Sequence, residues 1–235
     1  LETAPFSLPP QLPLPSSPSS IRPLIQKALA ASYSLPHIFT PDSRRVFLLL
    51  FQNSAELRPT GGFIGSVALL TLDSSHLADF QVFDVYSLDG QLKGHVEPPT
   101  DLKLYLGEAG WYLRDSNWDP DFPTSAQRAA WFVDKEIGRQ VDGAVAINLN
   151  FAKRLLEITG PITLPDFEET ITAQNLFERA EYQSESAFFP GSTNKKDFLG
   201  SLAKVLMDKI KLLDSSSHPQ LALALLKSLE QKDIL

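Results

Sequence analysis

Two apolar runs, RRVFLLLFQN (44–53) and GGFIGSVALLTLD (61–73), flank the polar turn SAELRPT, and this arrangement limits the fold more than any other feature of the chain. The first run is continuously apolar, as expected of a strand buried on both faces. The turn carries Arg58, and Asn53 and Gly61-Gly62 stand at its ends. Glycine lets the backbone take positive φ and approach a ligand closely. Arg58 presents a planar fork of donors suited to phosphate or carboxylate. Two readings are open for this stretch: a hairpin whose charged tip is solvated, or an anion-receiving loop in which Asn53 and Arg58 take part.

A third strand is expected over LADFQVFDVYSLD (77–89), joined to the second by a turn at Asp73–His76. DGAVAINL (142–149) reads as a fourth strand and PITLP as a short fifth. Helices alternate with them. IRPLIQKALAASY reads as a helix with Ser20 as cap. DLKLYL gives a short helix. TSAQRAAWFVDKEIGR gives a longer one, with Pro123 near its first turn and Thr124 or Ser125 as cap. NFAKRLLEITG ends in Gly160, a natural stop. A long amphipathic helix is expected over 192–213 and a last one over HPQLALALLKSLEQK. Interspersed strands and helices predict an α/β fold, a three-layer α-β-α sandwich with a central mixed sheet, in which ligands lie beyond strand ends. Residues 1–20, LETAPFSLPPQLPLPSSPSS, read as a Pro/Ser-rich linker or strap, and 21–235 as one domain.

Composition excludes several classes. A net charge of −7 without a basic stripe argues against nucleic-acid binding. With no cysteine, disulfides, thiolate catalysis and cysteine-held zinc are ruled out. No P-loop, GxGxxG or GxSxG occurs, and the four histidines have no metal spacing. No run reaches the roughly 20 apolar residues of a membrane span, so a membrane anchor would have to lie upstream of Leu1.

Three polar groups remain. RDSNWDPDFP (114–123) places Arg114, Asp115, Asp119, Trp118 and Phe122 just ahead of a helix. This suits an anion, a Mg²⁺ held by carboxylates, or plain helix capping. GSTNKKD (191–197) opens another helix with Lys195 and Lys196, either as phosphate contacts or as a solvated cap. Asp84 and Asp89 fall within and at the end of the third strand, where a charge needs a partner, Arg58 or Arg114 being the candidates.

VFLLLFQNSAELRPTGGFIGS, DVYSLDGQ, LRDSNWDPDFPTSA, DGAVAINLNFAKRLLEITGPITL and FFPGSTNKKDFLGSLAKVL together resemble an uncharacterised domain family of bacterial envelope proteins. Through segment order this family resembles the LytR-CpsA-Psr phosphotransferases. The resemblance implies an extracytoplasmic, membrane-anchored protein with a polysaccharide-related role that binds or transfers a polyprenyl-pyrophosphate-linked glycopolymer. It departs from those relatives in having SLDGQ where they carry an Arg-Asp pair, and Asn194-Lys195-Lys196 where they carry arginines. On that reading Arg58, Arg114, Asn53, Lys195 and Lys196 contact phosphate. Asp89 and Asp115 are catalytic, and Asp115, Asp119 and Asp84 hold Mg²⁺. The alternative is a non-catalytic module whose Trp118 and Phe122 contact a glycan or a protein. Convergence of both arginines with an acid, beside an apolar tunnel, is what separates the two.

Overall fold

A computed structural model describes residues 43–74, 76–186 and 198–235. The expected strap at 1–20, the helix over 21–33 and the turn with Lys195 and Lys196 lie outside the described residues.

Four strands form the main sheet: β1 (Arg44–Asn53), β2 (Phe63–Asp73), β3 (His76–Asp84) and β4 (Gly143–Asn148), in the order β3-β2-β1-β4. β1 and β2 are antiparallel, as are β2 and β3, whereas β4 runs parallel to β1. The mixed sheet is therefore built from a meander plus one crossover. Residues Asp233–Leu235 return along β4, exchanging backbone hydrogen bonds between Leu235 and Ala146 and giving the Asp233 carbonyl to Asn148.

Alternation sorts β1 into two faces. Leu48 and Leu50 join Ile64, Val67 and Leu69 of β2 in one core, closed by a 3₁₀ segment (Leu113–Trp118) and by the helix Phe122–Ile137, which contributes Ala129, Phe132 and Val133. Leu49 and Phe51 face the opposite way, toward the helices Leu149–Thr159 and Phe198–Lys211. Helices thus cover both faces, giving the α-β-α order expected from the sequence.

In chain order the α-helices are α1 (Val85–Asp89), α2 (Thr100–Leu106), α3 (Phe122–Ile137), α4 (Leu149–Thr159), α5 (Leu176–Ser186), α6 (Phe198–Lys211) and α7 (His218–Glu230). Two local expectations need correction. The third strand stops at Asp84, because the Asp84 carboxylate accepts from Ser87 N at 2.9 Å and starts α1, so DVYSLD is cap plus helix. The cap of α3 is Asp121, which accepts from Thr124 N at 3.1 Å and Thr124 Oγ1 at 2.7 Å. The short fifth strand is present as Ile162–Leu164 (β5), paired with Glu169–Ile171 (β6) in a separate two-stranded sheet. The Gly160 stop is as expected, at φ +74° with its N–H bonded to Leu156 O.

Candidate functional site

β1, β3 and β4 all end at the same edge of the sheet, so the loop after β1, helix α1 and the start of α4 gather there. The loop is held by its own polar groups. Asn53 Oδ1 accepts from Ala55 N at 3.1 Å, and Gly61 N donates to Arg58 O at 3.0 Å. Gly62 cannot be replaced without movement, since a Cβ there would stand 2.4 Å from the Asn53 carbonyl oxygen. Beneath it, Gln52 Nε2 and Asn117 Nδ2 both donate to Thr60 Oγ1, at 2.7 and 2.9 Å, and Asn117 also reaches Gly62 O at 2.8 Å. These bonds pin the loop onto the 3₁₀ segment.

The segment in turn delivers Arg114 and Asp115 to Arg58. Arg58 donates through Nε and Nη2 to Asp115 Oδ1, at 3.3 and 3.1 Å. Arg114 Nε lies 3.4 Å from Asp115 Oδ2, Nη1 donates to Asp89 Oδ2 at 2.8 Å, and Nη2 donates to Glu108 Oε2 at 3.0 Å. The guanidinium of Arg114 also lies 4.4 Å from the centre of the Tyr112 ring and 5.6 Å from that of Tyr86, while Arg58 stacks over Phe63. Asp115 is buried and both arginines are nearly so.

Burial sets the electrostatics. Loss of water pushes the Asp89 carboxyl up to about 6, against the opposing pull of Arg114. Asp115 is also raised by burial, with Arg58 and Arg114 pulling it back. Below them sits Glu136 of α3, which burial and then the Asp89 charge push up to about 8, with only a weak counter-effect from the Leu113 backbone and Arg114. Neither Glu136 oxygen nor Asp89 Oδ1 has a hydrogen-bond partner. The result is a buried knot of two guanidiniums and several carboxyls, with more acceptors than its donors satisfy.

The structure brings Arg58, Arg114, Asp89 and Asp115 together. The other candidates among the described residues lie apart from this cluster. Asn53 shapes its own loop. Asp84 caps α1, and Asp119 accepts from Asp121 N at 2.8 Å, so the carboxylates named for Mg²⁺ serve separate local structures. Among the described residues no three acidic, histidine or cysteine side chains are placed to hold a metal ion. Phe122 packs on the core, whereas Trp118 lines a surface groove. Glu136, Glu108, Asn117 and Gln52 were missed. For Glu136 the available signal was its i+4 spacing from Phe132 on the buried stripe of α3.

On the other face of the sheet lies a cavity of about 270 Å³. Leu49, Phe51, Phe80 and Ile147 form its floor, and Phe151, Leu155, Leu202, Leu206 and Met207 its roof. Its polar residues are Gln52 and Asn148, at the ends of β1 and β4, and Gln52 is the residue tied through Thr60 to Asn117. The apolar cavity and the ionic knot therefore share one end of the sheet.

The chain is a mixed-sheet α-β-α domain. The family described as "Protein of unknown function (DUF4012)" matches residues 42–184, more than half of the chain, and the chain belongs to it. No curated protein matches the sequence. Among solved structures, the transcriptional regulator yvhJ from Bacillus subtilis is similar at 11% identity over 80% of this chain and 77% of that one, with a TM-score of 0.42. TagV from B. subtilis is similar at 11% identity, covering 73% of this chain and 65% of that chain, with a TM-score of 0.43. Protein gbs0355 from Streptococcus agalactiae is similar at 14% identity over 80% and 75% of the two chains, with a TM-score of 0.34. No residue role passes from them to this chain.

Proposed function

We propose that this domain binds a polyprenyl-pyrophosphate-linked glycopolymer, with the prenyl chain in the apolar cavity and the pyrophosphate at Arg58 and Arg114. The observation that carries this reading is a greasy cavity ending at the same sheet edge as two converging guanidiniums. Its volume is close to the lower end of the roughly 300–1,000 Å³ of small-molecule sites, so it suits the first isoprene units rather than a whole chain. Such a ligand belongs to the extracytoplasmic face of a bacterial membrane.

Binding has more support than transfer, because the arginines already serve Asp115, Asp89 and Glu108 and a diphosphate must compete for them. The raised Asp89 and Asp115 weaken that competition as pH falls. If transfer occurs, an acceptor hydroxyl attacks the sugar-bearing phosphorus and passes its proton to Asp89, and polyprenyl phosphate leaves. Asp89 offers an oxygen without a hydrogen bond and a pKa near that of a general base.

Thermal-shift titration with farnesyl pyrophosphate, with and without Mg²⁺, tests the reading, since selective binding to the folded state raises Tm. A dose-dependent rise is expected, larger than with farnesol or inorganic pyrophosphate alone. Arg58→Ala and Arg114→Ala should each weaken binding by about 1–3 kcal/mol, the cost of losing a charged hydrogen bond. No shift with farnesyl pyrophosphate, or an affinity unchanged from that of the unaltered chain in both variants, removes the assignment.

A further inference from the structure

The chain has three tryptophans, and all three, Trp111, Trp118 and Trp131, line one groove outside both the apolar cavity and the ionic knot. The groove encloses about 600 Å³ between the 3₁₀ segment, the first turns of α3 and the start of α2. Unlike the cavity on the other face, its wall combines rings with polar groups, Asp101, Asp119, Thr124 and Gln127 lining it together with the indoles.

Arg128 lies 4.4 Å from the centre of the Trp111 ring and 5.5 Å from that of Trp131, so it fixes two indoles relative to each other. Phe132 adds edge contacts to the same two rings, at 5.8 and 5.0 Å between centroids. Trp111 is anchored further by Nε1–H donating to Asp115 O at 3.0 Å. Two rings are thus held in place before any ligand arrives, yet Trp131 remains 36% exposed. One further group is unspent: Ser116 lines the groove at 1% exposure, and its hydroxyl has no hydrogen-bond partner.

We propose that this groove is a binding site for a neutral oligosaccharide. Pyranose rings present apolar C–H faces to indoles and a rim of hydroxyls to carboxylates, amides and hydroxyls, and rigid aromatic platforms hold such faces at low entropic cost. A polyanionic chain is disfavoured, because Asp101 and Asp119 outnumber Arg128 along the wall. A purely apolar partner is disfavoured by these polar groups, which it would leave unpaired. The site stands independently of the lipid reading, since none of its residues lines the apolar cavity.

The test is intrinsic tryptophan fluorescence of the whole chain titrated with N-acetylglucosamine tetramer and, separately, cellotetraose. Every tryptophan borders the groove, so occupancy reads out directly. A saturable change is expected with at least one probe, together with about a tenfold loss of affinity in Trp131→Ala. Trp131 is partly exposed and packs at the rim of the core, so that variant should stay folded with only a small loss of Tm. Gln127→Ala, on the exposed side of α3, serves as a second variant and should also weaken binding. Absence of saturation with both sugars overturns the proposal, as does unchanged affinity in both variants. The farnesyl pyrophosphate shift should be the same in Trp131→Ala as in the unaltered chain, which keeps failure of one site distinct from failure of the other.

Discussion

The two faces of one sheet are finished in opposite ways. The face of Leu48 and Leu50 is sealed by α3 and the 3₁₀ segment, with Phe132 and Leu113 fully buried and an ionic knot at its edge. The face of Leu49 and Phe51 is roofed by α4 and α6 but left with a hole. Strands of the same residue types serve both, so the difference comes from the helices. An unfilled apolar space forfeits packing contacts, and a buried ionic knot costs desolvation that pairing only partly returns. A fold selected for stability alone would have neither. Both departures meet at the edge where Gln52 and Thr60 connect them, which is where a ligand with a greasy end and a charged head would sit.

The largest effect is expected on the sealed face. Asp115 holds Arg58 through Oδ1 and faces Arg114 through Oδ2. Asp115→Ala leaves two nearly buried guanidiniums short of a counter-charge and should cost about 3 kcal/mol, as breaking buried pairs does. Urea unfolding checks this. A loss under about 1 kcal/mol would mean that water already screens the knot, and the contrast between the faces would be smaller than the geometry suggests.

Next comes a gain rather than a loss. Glu136 has a folded pKa raised to about 8 from an ordinary 4.5, so between those values the folded chain holds a proton that the unfolded chain has released. Stability from this group is therefore full at low pH and falls as pH rises toward 8; Asp89, raised to about 6 from 3.8, adds the same sign over its lower window. Glu136→Gln should remove most of this slope. It should be about 2 kcal/mol more stable than the unaltered chain at pH 6 and nearly equal to it near pH 4.5. A flat difference across that range would show that the carboxylate stays charged in the folded state.

The contrast between the faces also explains what was legible beforehand. Period and punctuation revealed β1, β2, the stop at Gly160 and the layer order, because these are local patterns. The meeting of Arg58 with Asp115 joins the loop after β1 to a 3₁₀ segment 57 residues later, a consequence of topology that no local pattern carries. The strand was expected to run on to Asp89 because an aspartate that both ends a strand and caps a helix carries no signal in the apolar run itself until the chain turns. Glu136 was passed over because a glutamate on an amphipathic helix reads as solvated unless its phase against Ala129, Phe132 and Val133 is followed. The cavity had no local signal: a gap between layers depends on the distance between helices and sheet, which no residue type encodes. The Trp groove was half legible, with Trp118 singled out but Trp131, well along α3, left out.

The smallest stability change should come from filling that gap, and it bears most directly on the comparison. Ala203 of α6 lines the cavity and is half-buried. Ala203→Phe places a ring in the existing space, so cavity filling and crowding oppose each other and the net change should stay within about 1 kcal/mol. Binding should respond differently. If the prenyl chain occupies this space, the variant loses the farnesyl pyrophosphate shift while keeping its Tm and its response to sugars at the tryptophan groove. Retention of the full shift would place the lipid elsewhere. The cavity would then be a packing defect, leaving the arginine knot to account for any diphosphate binding by itself.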